Sequence, residues 1–598
     1  MTGSKEYKQM KVGLAQIKPQ KSDLQGNASK IRSMIADSTD DKDIRVFSEA
    51  NLTGYFLEGG VSEAALSPEE LMEVLGPPPS NCPDVVIGFY EKGKGGPFNS
   101  VAYLEPVSNQ FKVKHIHRKL FLPTYGVFDE SRFVRPGSEV ASFSTKYGKI
   151  GLLICEDMWH SLPSTILALQ GAELIIGVSA SPARDFLKNG KGLPENLRRW
   201  DNLVPAIAME HGIFVAVSQL VGSEGGKIFP GGSIVSSPEG SILTRAPLME
   251  EGVTWTTLVS GAITRARTKT PLLSDLKTAL PNLQRCLSEL KGSSSTMENS
   301  TCPEIDPRIG SFGRDGIGNV DTIFGDESML DLNLDLVQKA LIEFIRDEVT
   351  RKRGFKKLVI GVSGGVDSSV SLYLAVAALG AENVLGIKMP YSTSSKESTE
   401  HADLVLKATG TQGNVIDISS SIDTYIKQYE EDLTSLRRGN LAARFRSLVL
   451  FDQSAKEGAL PLGTGNKSER LLGYYTWHAD DSPPINPLGD LFKTQVWSLA
   501  RHLGIPEVVI TKPASADLVV GVHDEDELGI SYENADPILY WFLEGYKPEA
   551  LKLQGFDCEQ VDLVWRHLSK SHWKRELPTV AMMSSNAIGE YYLRPKDF

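Results

Sequence analysis

At 598 residues the chain exceeds one ordinary domain, and two to four are expected. It carries 75 acidic and 63 basic residues, a net charge of −12 with His neutral, and has no basic block or arginine-rich tract. That balance favours solubility and argues against a nucleic-acid surface. The five cysteines, Cys82, Cys155, Cys286, Cys302 and Cys558, are scattered, odd in number and never in C-x-x-C spacing. A reducing compartment fits that usage, and zinc or iron–sulfur ligation is not expected. MTGSKEYKQMKVGLAQI shows no secretory apolar segment before its first strand, and no run of about 18 apolar residues occurs. A soluble cytoplasmic protein without membrane contact is the expectation.

From residue 11 to about 265 short apolar segments recur: KVGLAQI, IRVFSEA, DVVIGFY, SVAYLEP, KIGLLICE, AELIIGVS, GIFVAVSQ and GSIVSS. Helical patterns alternate with several of them, as at 162–169 and 197–209. This predicts layered α/β with some hairpin-paired strands. Residues 273–335 change character. SDLKTALPNLQRCLSEL has a helical pattern, and the polar Gly-, Ser- and Asp-rich stretch after it reads as a connector or cover segment. Three parts follow: 1–270, 271–335 and 336–598. The last alternates helix LVQKALIEFIRDEV, strand KLVIGVS, helix SSVSLYLAVAAL, strand NVLGIKMP, helix ESTEHADLVLKATG and strand NVIDIS. That order predicts a doubly wound parallel sheet with ligands beyond the carboxyl ends of its strands. No internal repeat is evident.

In the first part Cys155 ends GKIGLLI and precedes EDMW. A lone cysteine is most often structural. Here it sits at a strand terminus with Glu156 and Asp157 beside it, which an apolar core would disfavour. Glu49, after IRVFS, and Lys119, after VKHIH, occupy similar strand-edge positions. A thiol nucleophile must lose its proton, and a nearby ammonium favours the thiolate. Glu49 could take that proton and later activate water. Lys119 and the Glu156 N–H could stabilise an oxyanion. Spacing alone does not bring the three together.

FSEANLTGY, HRKLFLPTYGVFDE and LLICEDMW resemble the three signature segments of the nitrilase (carbon–nitrogen hydrolase) superfamily. The resemblance implies an αββα sandwich over roughly 10–270. It makes Glu49 the general base, Lys119 the stabiliser of the tetrahedral intermediate and Cys155 the nucleophile. It adds Glu130 as an accessory glutamate, with Glu156, Ser179 and Ser181 at the site of an amide such as glutamine. Two departures stand out. Pro230 replaces a frequent acid before the GGS turn, and Gln219 replaces a common Asn.

In the last part SGGVDSS (363–369) lies between the apolar run KLVIGV and a helical run. Gly364, Gly365 and the backbone N–H groups of a helix N-terminus form an anion cradle, to which Ser363, Ser368 and Ser369 add hydroxyls. The G-x-x-x-x-G-K-[ST] pattern is absent. Asp367 supports the loop, assists a metal, or simply opens the helix.

The loop resembles that of the ATP pyrophosphatases, the adenine-nucleotide α-hydrolase group, which transfer AMP and release pyrophosphate. MPYSTSS, RRGNLAARFR, PLGTGNKSERLLGYYT, PLGDLFKTQVWSLA and KPASADLVVGVHDEDELG are similar to NAD synthetase segments. The resemblance implies ATP contacts at Ser363, Gly364, Gly365, Asp367, Ser368, Ser369, Ser394, Thr464, Lys493 and Ser515. It implies deamido-NAD⁺ contacts at Asn440, Arg444, Lys467, Asp480, Asp524 and Glu525. Mg²⁺ would fall to Asp367 and Glu469. Departures here are Ala479 for a usual Gly, Ala514, and Val522–His523 for Gln-Thr.

The fusion resembles glutamine-dependent NAD synthetases. It implies a glutamine-hydrolysing carbon–nitrogen ligase that amidates nicotinic acid adenine dinucleotide to NAD⁺ through an adenylated intermediate, releasing AMP, pyrophosphate and glutamate. ATP and Mg²⁺ would be required. A homo-oligomer is implied too, a dimer through the synthetase part with an octamer as the larger alternative. Another carboxylated acceptor, or a non-catalytic scaffold built on the same folds, are the competing readings.

Overall fold

The computed structural model describes residues 8–36, 43–57, 60–125, 127–183, 186, 193–293, 327–392, 394–429, 433–514 and 523–576. They divide into two compact units, one holding 8–183 and 194–293, the other the described residues of 327–576 together with Phe186 and Leu193. The connector's predicted helix forms in the first unit, at Leu272–Ser293.

Two six-stranded mixed sheets build the first unit. One contains β1 (Gln9–Gln16), β2 (Ile44–Val46), β3 (Asp84–Glu91), β4 (Phe98–Val107) and β5 (Gln110–Arg118). The other contains β6 (Phe143–Thr145), β7 (Gly148–Ile154), β8 (Leu174–Ser179), β9 (Phe214–Gln219), β12 (Ile234–Ser236) and β13 (Ile242–Arg245). A hairpin of β10 (Val221–Glu224) and β11 (Lys227–Pro230) follows β9, and β14 (Gly252–Val259) returns to pair with β1. The orders are β14-β1-β2-β3-β4-β5 and β13-β12-β9-β8-β7-β6. Each sheet has three central parallel strands, β1-β2-β3 and β7-β8-β9, flanked by antiparallel ones.

The central strands read as continuous apolar runs because both of their faces are buried. β8 and β9 are buried at every position. Helices Leu24–Ala36 and Pro68–Leu75 cover the first sheet through Ala28, Ile31, Ile35, Leu71 and Leu75. Helices Ser161–Leu169 and Glu195–His211 pack together beside the second. On the inner faces Ser218 Oγ donates to Ala15 O at 3.2 Å, tying β9 to β1. This is the αββα sandwich.

The second unit is built on four parallel strands, β15 (Lys357–Gly361), β16 (Val384–Lys388), β17 (Gln412–Val415) and β18 (Ala459–Leu462), in the order β17-β16-β15-β18. The chain winds outward from β15 to β16 and β17, then returns to β18 on the other side. The strand order therefore reverses between β15 and β18, where a doubly wound sheet opens its crevice. The helix after β15 spans Val366–Leu379, two residues longer at its start than the predicted SSVSLYLAVAAL, because Gly365 in extended conformation serves as its N-cap. Among the described residues no helix is long and apolar enough to cross a membrane.

Candidate active sites

The first site lies at the carboxyl ends of the parallel strands of the first unit. Glu49 follows β2 on a turn that can reach its place only because β3 carries Gly88 there. A Cβ on Gly88 would fall 2.5 Å from Ser48 O and 2.8 Å from Glu49 Cα. Cys155 follows β7 directly and sits in the left-handed region at φ +42, a strained conformation for a non-glycine residue. Lys119 follows β5.

The structure brings the three together. Lys119 Nζ lies 2.8 Å from Glu49 Oε1 and 2.7 Å from Glu130 Oε2, with the lysine and Glu49 wholly buried. Asn99 Nδ2 donates to Glu49 Oε1 and Glu130 Oε1, both at 2.8 Å. Glu49 Oε2 accepts from Ala180 N at 2.7 Å. Ser179 Oγ donates to Cys155 Sγ at 3.3 Å.

Burial works against the Lys119 ammonium, but Glu130 and Glu49 outweigh it and hold its pKa well above the ordinary lysine value. Burial raises the Glu130 carboxyl, against the pull of Lys119. Burial and then Glu49 push the Cys155 thiol up, against Lys119 and the Ser179 hydrogen bond. The surroundings of Cys155 thus favour the neutral thiol, with the Glu49 carboxylate among the charges that act on it. Such an arrangement suits proton removal during attack rather than a standing thiolate.

The acids beside Cys155 divide their work. Glu156 Oε2 accepts from the exposed Tyr125 hydroxyl at 2.8 Å, with the glutamate side chain itself mostly covered. Asp157 is fully buried. Its Oδ1 accepts from Leu120 N (2.9 Å) and Phe121 N (3.0 Å), and its Oδ2 from Ile154 N (3.2 Å), with His117 Nε2 at 2.8 Å. It thus ties the turn bearing Cys155 to the segment bearing Lys119. Asp157→Asn leaves donors facing an NH₂ and should cost roughly 2–4 kcal/mol. The check is a lower denaturant midpoint at unchanged slope.

Ser181 Oγ accepts from Asn196 Nδ2 at 3.1 Å, while Ser179 is the serine that touches the thiol. Gln219 lies beside Ser179 on β9, its N–H donating to Ser233 Oγ at 2.9 Å, and Pro230 ends β11 opposite Val221. Sequence reasoning missed Asn99 and the Ala180 N–H. A polar residue at the start of FNSVAYLEP was the only signal for Asn99, and a backbone donor leaves none.

The second site is a cavity of about 310 Å³ at the switch point between β15 and β18. Ser363, Gly365, Asp367 and Ser368 line it from the first loop, and Gly463, Thr464 and Gly465 from the loop after β18. Gly364 (φ +79) turns the other way: its missing Cβ would lie 2.1 Å from Ser398 O, so the loop is pressed against the helix Lys396–Thr409. Ser363 and Ser368 hydroxyls are 3.1 Å apart. Ser369 is fully buried and donates to Gly365 O at 2.8 Å, away from the cavity.

Asp367 pairs with Lys493 Nζ through Oδ2 and accepts from Asn466 Nδ2 at 2.9 Å through Oδ1. Glu469 lies 3.5 Å from Lys493 Nζ. Burial, then Asp367, raises the Glu469 carboxyl to about 8 against the pull of Lys493. Lys493, expected from the sequence to contact ATP, lines the cavity and is buried in the ion pair with Asp367. Ser394, Asp480 and Asp524 also line the cavity.

Four further sequence candidates lie outside its lining. Asn440 Oδ1 accepts from Thr476 Oγ1 at 2.9 Å, and Arg444 Nη2 donates to Trp477 O at 3.2 Å. Lys467 pairs with Asp490 at 2.9 Å, and Glu525 Oε1 accepts from Tyr532 N at 2.9 Å. Ser515 and Val522 lie outside the described residues. Ala479 is comfortable where glycine is usual, since the left-handed residue of that turn is His478 (φ +58).

Arg446, Lys388 and Lys512 line the cavity and were not singled out. For Arg446 the signal was available. Ala443, Arg446, Ser447 and Leu450 share one face of the helix Ser435–Glu457 at i, i+3, i+4 and i+7, and all four meet the cavity.

The carbon–nitrogen hydrolase family model matches residues 11–268 and the NAD synthase family model residues 337–578. A glutamine-dependent NAD(+) synthetase from Aquifex aeolicus is 33% identical over 605 residues, covering 97% of this chain and 98% of the relative. An NH(3)-dependent NAD(+) synthetase from Trichlorobacter lovleyi is 45% identical over 272 residues, 45% of this chain and 99% of the relative. Among solved structures, a glutamine-dependent NAD⁺ synthetase from Acinetobacter baumannii in complex with ADP superposes with a TM-score of 0.66. It is 24% identical, covers 96% of both chains and supports the fold. With both halves matched and a full-length relative above 30% identity, the chain belongs to the glutamine-dependent NAD(+) synthetase family.

Proposed function

We propose that the chain converts nicotinic acid adenine dinucleotide to NAD⁺, using ATP to activate the nicotinate carboxylate and glutamine as the source of ammonia. The observation that carries this reading is the pair of sites in one chain. A buried Cys155–Lys119–Glu49 cluster suits amide hydrolysis, and a Gly-rich cradle at a parallel-sheet switch point suits a nucleotide. The relatives named glutamine-dependent NAD(+) synthetase, and the one bound to ADP, support the substrate assignment.

In the first site Cys155 Sγ attacks the side-chain amide carbon of glutamine while its proton passes to Glu49. The oxyanion that develops faces the Lys119 ammonium, whose charge Glu49 and Glu130 hold in place before reaction. The proton then leaves with ammonia, giving a glutamyl thioester. Water deprotonated by Glu49 hydrolyses that thioester to glutamate. Glu156 and Ser181 orient the amino-acid end of glutamine.

In the second site the nicotinate carboxylate oxygen attacks the α-phosphorus of ATP, and pyrophosphate leaves onto the Ser363–Ser368 loop. Its serine hydroxyls and helix N-terminal N–H groups neutralise the leaving charge without a P-loop lysine. Ammonia attacks the acyl carbon of the adenylate and AMP departs. Asn440 and Arg444 hold the dinucleotide from outside the cavity lining.

The residues present fit Mg²⁺. Asp367 and Glu469 place two hard carboxylates beside the cradle; burial first, then the Asp367 charge, raises the Glu469 carboxyl to about 8, and a cation there would relieve the second of these. When bound, the ion supplies charge neutralisation on the phosphates. The protein assembles as a homo-oligomer through its synthetase unit.

The test is NAD⁺ and AMP formation from nicotinic acid adenine dinucleotide, ATP and Mg²⁺, with glutamine or ammonium chloride as donor. Both donors should give NAD⁺ and AMP in equal amounts. Glutamate release from glutamine with no NAD⁺ from either donor would overturn the acceptor assignment.

A further inference from the structure

We infer that Glu224, on the β10–β11 hairpin, is a positioning residue for the thiol site that acts through the Tyr55–Phe56 turn. One oxygen of Glu224, Oε2, accepts from both Tyr55 N (2.8 Å) and Phe56 N (3.0 Å). The side chain is 3% exposed, and its other oxygen has no hydrogen-bond partner among the described residues. That second oxygen lies against Gly54 (φ +82), where a Cβ would come within 3.0 Å of it. Burial raises the Glu224 carboxyl above its ordinary value, and the Phe56 and Tyr55 N–H groups pull against that rise.

The turn is held from a second direction as well. The Tyr90 hydroxyl donates to Tyr55 O at 2.8 Å. Between these two clamps the Tyr55 ring is set 5.7 Å from Lys119 Nζ and edge-on to Phe56 and Phe128, with centroids 4.9 and 6.2 Å away. Tyr55 is also close enough to Glu130, Glu49 and Cys155 that their charges, after burial, raise its phenol. Glu224 touches none of the reacting groups. The Lys119 pairs with Glu49 and Glu130 do not involve Glu224. Loss of the clamp should thus loosen the aromatic side of the site while leaving its charges in place. That is a defect in substrate placement, seen in KM more than in kcat.

This inference rests on glutamine as the amide substrate. The full-length protein and its Glu224→Ala, Glu224→Asp and Glu224→Gln variants are assayed for glutamine hydrolysis over a range of glutamine concentrations. Hydrogen exchange is followed by mass spectrometry on the peptide spanning Tyr55 and Phe56. Glu224→Ala and Glu224→Asp, which remove both N–H bonds to the turn, should raise KM about tenfold or more, with kcat changed far less. Both should speed amide exchange in the turn. Glu224→Gln should rescue both readouts, since its carbonyl can take the same two N–H groups and its NH₂ replaces the unpartnered oxygen. A wild-type KM in Glu224→Asp, or a Glu224→Gln variant as impaired as Glu224→Ala, would overturn the inference. A wild-type protein that never hydrolyses glutamine would overturn the proposed function instead, and exchange in the turn would still decide the clamp.

Discussion

Cys155→Ala should abolish glutamine-supported NAD⁺ formation, by on the order of 10⁴-fold or more, while ammonium chloride still supports it. The asymmetry follows from where each reaction takes place. The thiol is the proposed nucleophile, and Ser179 Oγ, 3.3 Å away, serves as its hydrogen-bond donor. Without Sγ no thioester forms, and Lys119 and Glu49 have only water to work with. The cradle, Asp367 and Lys493 belong to the other compact unit and are untouched by the change. Alanine also fits, because the φ of +42 at this position strains any side chain alike and the smaller one adds no clash. The measurement is initial rate with each donor at saturating ATP and dinucleotide. Equal loss with both donors would show that Cys155 serves something other than amide hydrolysis.

Gly364→Ala should lose activity with both donors together, the opposite signature. At φ +79 a side chain costs roughly 1–2 kcal/mol on backbone grounds alone. The larger problem is steric, since the new Cβ would sit 2.1 Å from Ser398 O and 3.0 Å from Ala402 N. Those are backbone atoms of the helix Lys396–Thr409, which cannot rotate aside as a side chain can. Either that helix or the loop must move by about an ångström, and a displacement of that size at phosphate-binding groups costs roughly 100-fold. Gly365→Ala is the control. Gly365 has φ −87, and its added Cβ would meet only Ser363 Oγ, at 3.4 Å. Equal damage from the two substitutions would mean that the loop's contacts with ligand, rather than its packing on the helix, set its sensitivity.

Much of this protein was legible in its residues, for reasons that operate over short stretches of chain. Apolar runs such as LLI before Cys155 and LVI before the SGGVDSS loop mark strands buried on both faces. A glycine pair followed by hydroxyl residues marks a strand turning into a helix N-terminus. Glu49 and Cys155 each follow such a strand and Lys119 follows the more polar β5, and strand ends in layered α/β folds converge on one edge. Their identity was readable one segment at a time.

What the sequence by itself determined, then, is which residue types stand at the ends of which strands, because strand period and turn chemistry are local. Only the tertiary structure decided the partnerships between those ends. It set Asn99 between Glu49 and Glu130, and made Asp157 the strut from the Cys155 turn to the Lys119 segment. It buried Lys493 against Asp367, and turned Arg446 rather than Arg444 to the cavity. These choices join residues tens to more than a hundred positions apart. They depend on the low dielectric and exact packing of an interior, where a buried charge must find a partner within hydrogen-bond reach. No pattern along the chain encodes which partner that is.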